Sequence, residues 1–124
     1  MYQFYNANPI ASRVGDCTIR AISKALGQSW IKTYIEICLE GLVMYDMPSA
    51  NQVWGKYLKD NNYTRHLIPN TNPDRYTVRQ FAEDHKTGRY ILALQGHVVA
   101  CINGTYYDTW DSGDEVPIYY WKEN

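Results

Sequence analysis

The fold is decided by residues 97–108, which read HVVACINGTYYD. Two apolar and aromatic runs flank Asn103-Gly104, and this dipeptide is a strong sequence signal for a two-residue type I′ turn. The stretch therefore predicts a β-hairpin, with one strand from His97 to Ile102 and a returning strand from Thr105 to Trp110.

The turn also determines which hairpin residues share a face, because side chains alternate along a strand. With the dipeptide at the turn, Asp108 becomes the diagonal neighbour of His97 on one face of the hairpin. Diagonal pairs lie about 7–8 Å apart at the backbone, and long side chains bridge that gap. Asp111 would lie on the other face, so the register predicts Asp108 rather than Asp111 as the partner of His97.

The first half of the chain is predicted to be helical and the second half to consist mainly of strands. Helices are predicted at Cys17 to about Leu26, Trp30 to about Glu40, Ala50 to Asp60 and Val78 to His85. Further strands are predicted at Tyr63 to Ile68, Arg89 to Leu94 and Pro117 to Trp121. Residues 1–15 and 69–73 are predicted to be irregular. Helices followed by an antiparallel sheet indicate a single α+β domain, with the N-terminal helices packed on the C-terminal sheet.

The first helix has signals at both ends. Asp16 is a favourable N-cap directly before Cys17, and Gly27 is a typical stop signal. The apolar stripe of this helix consists of Ile19, Ile22 and Leu26. That face is therefore expected to lie in the core.

The next two helices carry apolar residues whose spacing predicts their buried faces. The second helix is expected to start after Ser29 and to end at Gly41, with a buried face of Ile31, Tyr34, Ile35, Cys38 and Leu39. The buried face of the third helix is expected to consist of Val53, Trp54, Tyr57 and Leu58. Both helices are thus predicted to contribute to the core.

The chain has 124 residues and a net charge of −1, with an isoelectric point near 6.3. Lys and Arg are scattered singly, whereas nucleic-acid-binding proteins usually present a basic face, so no nucleic-acid partner is expected. Acidic residues cluster near the C-terminus at Asp108, Asp111, Asp114 and Glu115. This cluster is either a solvated loop or a loop that contains one functional acid.

The cysteine count and the hydropathy bear on the compartment. Three cysteines, an odd number without framework spacing, indicate a reducing environment. The N-terminal residues lack the basic start and the apolar core of a signal peptide. No apolar run approaches the roughly 20 residues of a membrane helix. The protein is therefore expected to be cytoplasmic, without a membrane partner.

Cys17 is the strongest candidate for a nucleophile. The thiolate is the reactive form of cysteine, and the unpaired N–H groups and dipole of a helix N-terminus favour negative charge there. The same N–H groups can donate to the oxyanion of an acyl-transfer transition state. Asp16 opposes this effect unless its carboxylate is turned into the cap. The alternative is that Cys17 is a buried packing residue.

The other cysteines and histidines have simpler interpretations. His66 lies in a separate strand, His85 ends a short helix, and Cys38 lies on an apolar stripe. Cys101 shares a face with His97, so it either lines the site or packs in the core. No close Cys or His pair of the C-x-x-C kind is present, so neither a metal nor another cofactor is expected.

Three segments together resemble a known family. Residues 14–22 (VGDCTIRAI) resemble the nucleophile helix of small papain-like cysteine peptidases from phages and bacteria. Residues 96–100 (GHVVA) and 107–111 (YDTWD) are similar to the histidine strand and the acid strand of that family. The order Cys, His, Asp along the chain is also that of the papain-like enzymes. The resemblance implies a papain-like fold.

The resemblance further implies a catalytic triad. Cys17 would form a thioester, His97 would take and return the proton, and Asp108 would hold the imidazole tautomer. The family usually has an oxyanion Gln five or six positions before the Cys, where this chain has Ser12 and Ala11. Candidate replacements as the oxyanion donor are Asn8 and Asn6, followed by Gln3.

The expected activity is therefore hydrolysis of a peptide or amide bond by a cysteine peptidase-like enzyme, with a peptide or protein as substrate. Trp110 either shields the His97–Asp108 pair or forms the floor of a substrate cleft. An amidase and an acyl transferase would use the same thiol chemistry. The missing Gln favours an alternative, a papain-like binding module that engages a host or partner protein without turnover. A structural domain of a larger assembly is a third possibility, and the oligomeric state stays open.

Overall fold

The structure is a computed structural model that describes residues 1–68 and 76–124. Its helices are α1 (Cys17–Leu26), α2 (Trp30–Met44), α3 (Asn51–Asp60) and α4 (Val78–Asp84). Its strands are β1 (Tyr2–Phe4), β2 (Tyr63–Leu67), β3 (Arg89–Leu94), β4 (His97–Ile102), β5 (Thr105–Asp108) and β6 (Tyr119–Glu123). The predicted α+β class is confirmed, whereas the predicted irregular segment 69–73 lies outside the described residues.

The six strands form one sheet in the order β1-β5-β4-β3-β6-β2. Strand β1 runs parallel to β5, and all other neighbouring strands are antiparallel. The prediction of a purely antiparallel sheet is therefore wrong at one edge, and residues 1–15 are not irregular throughout. Local sequence does not reveal β1, because this three-residue strand pairs Tyr2 with Tyr106 at the far end of the chain.

The hairpin that decides the fold has the predicted turn and register. Asn103 and Gly104 have φ values of 50° and 82°, the left-handed region that a type I′ turn requires at both central residues. Cys101 pairs with Tyr106 and Ile102 with Thr105. Gly104 also has a close neighbour, since a Cβ there would lie 3.3 Å from the carbonyl oxygen of Ala82. The turn thus connects the two strands of the hairpin and also packs against α4.

The sheet separates two apolar cores. On one face, a cluster built from α1, α2, α3 and the sheet includes Ile22, Ile37, Val53, Trp54, Ala100 and Trp121. On the other face, α4 covers a smaller cluster that includes Val78, Phe81, Leu92, Val99, Cys101 and Tyr106. The predicted stripes of the first and third helices are confirmed, with Leu26 half-buried at the edge of the larger core. In the described ranges, no helix is long and apolar enough to cross a membrane.

Helix α2 presents a different face to the core from the one that its sequence predicts. Of the predicted residues, Ile31, Tyr34, Ile35 and Leu39 are about half exposed, at 47–54%. The buried residues are Thr33, Ile37 and Gly41, which form one narrow i, i+4, i+8 line. Because α2 is apolar on nearly every side, spacing alone does not select the face that packs on α1 and α3.

Gly41 does not end α2, which continues to Met44 before Tyr45 adopts a left-handed conformation with φ of 54°. The glycine has a packing role instead. A Cβ at Gly41 would lie 2.7 Å from the carbonyl oxygen of Asp46. The position therefore lets the loop after α2 return against the helix, and the predicted end of α2 at Gly41 is wrong.

Candidate active site

Cys17 is the first residue of α1 and is half-buried. Asp16 stands at the N-cap position, but its side chain makes no cap hydrogen bond. Its carboxylate instead accepts from Arg20 at 2.7 Å and from the indole N–H of Trp30 at 2.8 Å. Within the described part of the chain, the backbone N–H groups of Cys17 and Thr18 have no hydrogen-bond acceptor. The helix start therefore presents free donors beside the thiol.

The surroundings of Cys17 favour its thiolate. Burial alone would raise the pKa of Cys17, but hydrogen bonds from His97 and the Val98 backbone and the positive charges of His97 and Arg20 lower it below its usual range. The salt bridge with Arg20 compensates the charge of Asp16. Asp16 is thus not used as a side-chain cap, and its bonds to Arg20 and Trp30 offset the charge that opposes a thiolate at Cys17.

His97 begins β4 and lies within interaction range of Cys17. Its Nε2 atom is 2.6 Å from Oδ2 of Asp108, which leaves Nδ1 as the nitrogen that is free for the thiol. Burial lowers the pKa of His97, but hydrogen bonds with Asp108 and Cys17 and their charges raise it to about 9. The indole of Trp110 lies over the imidazole, with 5.2 Å between the ring centroids. The pair thus favours an imidazolium beside a thiolate.

Asp108 ends β5 with its side chain fully buried, at 0% exposure. Oδ1 accepts from Arg20 at 2.9 Å and from the Thr109 backbone at 2.8 Å. Oδ2 accepts from His97 at 2.6 Å and from the Ser112 hydroxyl at 2.8 Å. Burial would raise the pKa of Asp108, but His97, Ser112 and the Thr109 N–H lower it. All four acceptor positions of an ionised carboxylate are therefore in use.

Strand register correctly selected Asp108 over Asp111. Asp111 is exposed and accepts from the Tyr106 hydroxyl at 2.6 Å, away from His97. Asp114 and Glu115 are exposed as well, and Asp114 pairs with Arg79. The acidic cluster is thus mostly a solvated loop with one buried acid at its start.

Sequence reasoning missed two residues that bind Asp108. Arg20 stands four residues after Asp16, a spacing that brings the two side chains together on a helix, and this was a usable signal. Its bond to Asp108 joins positions 88 residues apart, and nothing local indicates such a contact. Ser112 is fully buried, and it follows Asp108 by four residues in a loop that has no repeating pattern.

Two grooves are lined by His97 and by residues around the start of α1, respectively. The first, of about 490 Å³, is lined by Leu94, Gln95, Gly96, His97, Trp110, Glu115 and Val116. The second, of about 300 Å³, is lined by Val14, Gly15, Asp16, Thr18, Ile19, Trp30, Tyr34, Cys38, Pro48 and Ser49. Trp30 and Tyr34 stack with their ring centroids 5.0 Å apart. His97, the partner of Cys17, therefore lines the first groove, whereas Asp16 and Thr18, the chain neighbours of Cys17, line the second and more apolar one.

The candidate oxyanion residues Asn6 and Asn8 shape the loop before Cys17. Asn6 donates its Nδ2 to the Ser12 carbonyl at 3.2 Å, so that group is already engaged. The Oδ1 atom of Asn8 accepts from the backbone N–H groups of Ile10 and Ser12 at 3.0 and 3.2 Å. Gln3 is exposed and bonds to the carbonyl of Phe4. In the described residues, none of the three side chains hydrogen-bonds to Cys17.

The remaining cysteines and histidines are not part of the Cys17–His97–Asp108 group, and the position of Cys38 differs from the predicted one. Cys101 is fully buried, and burial raises its pKa to about 12, which supports the packing interpretation. His85 bonds the Phe81 carbonyl at 2.8 Å, and His66 is exposed and stacks on Tyr120. Cys38 is not in the core as predicted: it is half-buried and lines the second groove, because α2 turns a different face inward.

Among residues 1–68 and 76–124, no group of three or more His, Cys, Asp or Glu side chains is placed to hold a metal ion. Comparisons with protein-family models, with curated proteins and with solved structures gave no match to this chain. The geometry of the site therefore carries the functional argument alone.

Proposed function

We propose that this protein is a papain-like thiol hydrolase that cleaves a peptide or amide bond with Cys17, His97 and Asp108. One observation carries the proposal: a thiol at a helix N-terminus interacts with an imidazole whose other nitrogen is held by a buried carboxylate. This combination lowers the pKa of the nucleophile, supplies a proton carrier and fixes its tautomer. The free thiols of all three cysteines support a reducing, cytoplasmic setting.

The reaction follows from these roles. The Cys17 thiolate attacks the substrate carbonyl carbon, the S–C bond forms, and the carbonyl π electrons move onto oxygen. When the tetrahedral intermediate collapses, the C–N bond breaks and His97 gives its proton to the leaving amine. Water then attacks the thioester while His97 takes its proton, which releases the carboxylic acid and restores the thiolate–imidazolium pair.

The two grooves divide the substrate between them. Because His97 protonates the leaving amine, that part of the substrate lies in the groove beside His97 and Trp110. The acyl part then lies in the second groove, which is lined by Trp30 and Tyr34. Stacked aromatic rings there suit an apolar or aromatic side chain on the acyl side of the bond.

The oxyanion would be held by the free N–H groups at the start of α1. We propose Asn8 as the side-chain donor, since the Nδ2 of Asn6 is engaged by Ser12. The binding-module alternative rests on a different observation. In the described residues none of the candidate oxyanion side chains, Gln3, Asn6 and Asn8, bonds to Cys17, and α2 exposes Ile31, Ile35 and Leu39, a surface that suits a protein partner.

Alkylation by iodoacetamide near pH 6, mapped by mass spectrometry, tests the activated thiol. Cys17 is expected to react faster than Cys38, which is comparably half-buried but bonds to no imidazole among the described residues, and Cys101 is expected to stay unlabelled. The advantage of Cys17 should disappear in His97→Ala and persist in the matched control His66→Ala. Equal, slow labelling of Cys17 and Cys38 in the wild type would rule out the thiol hydrolase.

A further inference from the structure

We propose that Arg20 is a positioning residue of this site. Its guanidinium joins the carboxylate of Asp16, the residue before Cys17, to the carboxylate of Asp108, which binds His97. The inference rests on the proposed function, because it concerns how the Cys17–His97 pair is held. Among the described residues, the guanidinium of Arg20 bonds to Asp16 and Asp108 and not to the thiol, so it acts through these two acids.

The guanidinium of Arg20 bonds to Asp16 and Asp108 at once, and these three side chains form the Arg20 clamp. Nη1 of Arg20 lies 2.7 Å from Oδ1 of Asp16, and Nη2 lies 2.9 Å from Oδ1 of Asp108. The side chains of Arg20, Asp16 and Asp108 are 6%, 5% and 0% exposed. A guanidinium holds its donors in a rigid plane, so two such contacts fix both distance and direction.

The clamp connects two elements that are distant in sequence. Asp16 precedes the nucleophile at the start of α1, whereas Asp108 ends β5, 88 residues after Arg20. The other oxygen of Asp108 holds His97. The contacts Asp16–Arg20–Asp108–His97 therefore link the residue before the thiol to the imidazole. Such a link sets where Cys17 stands relative to His97, and reactive groups need placement to within about 0.5 Å.

The clamp also balances charge around the thiol. The charged groups around Cys17 are Asp16 directly before α1, Arg20 from α1, His97 from β4 and Asp108 from β5, which are joined by salt bridges. Burial raises the pKa of Cys17, while hydrogen bonds and the charge of His97, followed by the charge of Arg20, lower it. Without the guanidinium, two buried carboxylates would face one imidazolium, which disfavours a thiolate.

The test is the rate of Cys17 alkylation by iodoacetamide as a function of pH from 4 to 9, on full-length chains. In Arg20→Met the acid limb of the profile is expected to move to higher pH, with a rate loss on the order of tenfold at pH 6. Asp16→Asn should move the limb in the opposite direction, because it removes a negative charge and leaves Arg20 in place. Arg20→Lys should fall between Arg20→Met and the wild type, since one ammonium does not bridge both acids.

Lys24→Met is the matched control, because Lys24 carries a positive charge on the same helix and its side chain does not contact Asp16 or Asp108. It should leave the profile unchanged. Cys101 reports folding in every variant, since its thiol stays protected only while the core is intact. Shifts of opposite sign in Arg20→Met and Asp16→Asn, with Cys101 protected, distinguish positioning from a merely structural role.

Two outcomes would overturn the inference. One is an unchanged Cys17 profile in a folded Arg20→Met chain. The other is loss of Cys101 protection in both Arg20 variants, which would show that the guanidinium holds the core rather than the reactive pair. Failure of the proposed function is recognised separately, because Cys17 would then show no advantage over Cys38 in the wild type.

Discussion

His97 Nε2 lies 2.6 Å from Oδ2 of Asp108, although the two residues are eleven positions apart and are not directly opposite on their strands. The contact is a diagonal one across the β4–β5 hairpin, a separation that long side chains can bridge. A donor–acceptor distance this short is typical of a charge-assisted hydrogen bond. Several consequences of this contact and of its surroundings are measurable.

Replacing the carboxylate should weaken the proton affinity of the imidazole. In Asp108→Asn the pKa of His97 is expected to fall well below about 9, because the charge and acceptor that stabilise the imidazolium are lost and burial still disfavours it. Titration of the His97 ring by NMR measures the change. Asp111→Asn is the matched control and should leave the His97 titration unchanged, since Asp111 contacts Tyr106 instead.

The raised pKa of His97 makes stability depend on pH. Its ordinary value is 6.5 and its folded value is about 9, so the stabilisation is complete below about 6.5 and is lost as pH rises through about 9. The loss is at most about 1.4 kcal/mol per pH unit for one proton. Urea unfolding of the wild type and His97→Gln under reducing conditions should give a difference in free energy that shrinks from pH 6 to pH 9.5.

The thiol contributes with the opposite sign, because its pKa is lowered in the folded protein. The comparison is therefore repeated in a Cys17→Ser background, where only the imidazole titrates. The sign should stay the same there, since Asp108 also raises the pKa of His97. A difference in unfolding free energy that grows with pH would contradict the assignment.

Asn8→Asp should separate oxyanion stabilisation from thiolate formation. The substitution keeps the Oδ1 acceptor that binds Ile10 and Ser12 but removes the Nδ2 donor. Acylation by p-nitrophenyl acetate passes through an oxyanion, so its rate should fall by about 10²–10³. Alkylation by iodoacetamide has no such intermediate and should change much less. Equal losses in both reactions would mean that Asn8 acts only on the loop or the thiol.

The register of α2 is tested by two isoleucines that lie two residues apart. Ile37 is fully buried, so Ile37→Ala should lower the free energy of unfolding by about 2–5 kcal/mol. Ile35 is 52% exposed, so Ile35→Ala should change it by roughly 0.5 kcal/mol or less. Urea denaturation of the two variants and the wild type gives the comparison. A larger loss of unfolding free energy for Ile35→Ala than for Ile37→Ala would contradict this register and favour the buried face that the sequence alone predicts.

Features set by short-range rules could be predicted from the sequence. The left-handed dipeptide at 103–104 fixes the hairpin register, and the register in turn selects Asp108 over Asp111. The N-cap signal likewise places Cys17 at the start of α1, although Asp16 fills the position without a side-chain bond. In each case a local rule of backbone geometry decides the outcome.

Features set by distant packing could not be predicted. The core-facing side of α2 depends on where α1 and α3 lie, and its apolar residues cover nearly every side of the helix except the line of Lys32, Glu36 and Glu40. Strand β1 has only three residues and depends on β5 for its hydrogen bonds. The bond from Arg20 to Asp108 joins a helix to a distant strand end, so only the assembled fold reveals it.

The parallel edge strand has a consequence for how the protein can be shortened or fused. The backbone carbonyl of Asp108 accepts from the Tyr5 N–H at 2.9 Å and from the Tyr2 hydroxyl at 3.2 Å. Residues 1–5 thus pack against the end of the strand that carries Asp108, even though they lie far from Asp108 in sequence. A truncation that spares Cys17, His97 and Asp108 but removes residues 1–5 would take away these contacts, so the smallest unit that keeps the candidate site intact includes the first strand.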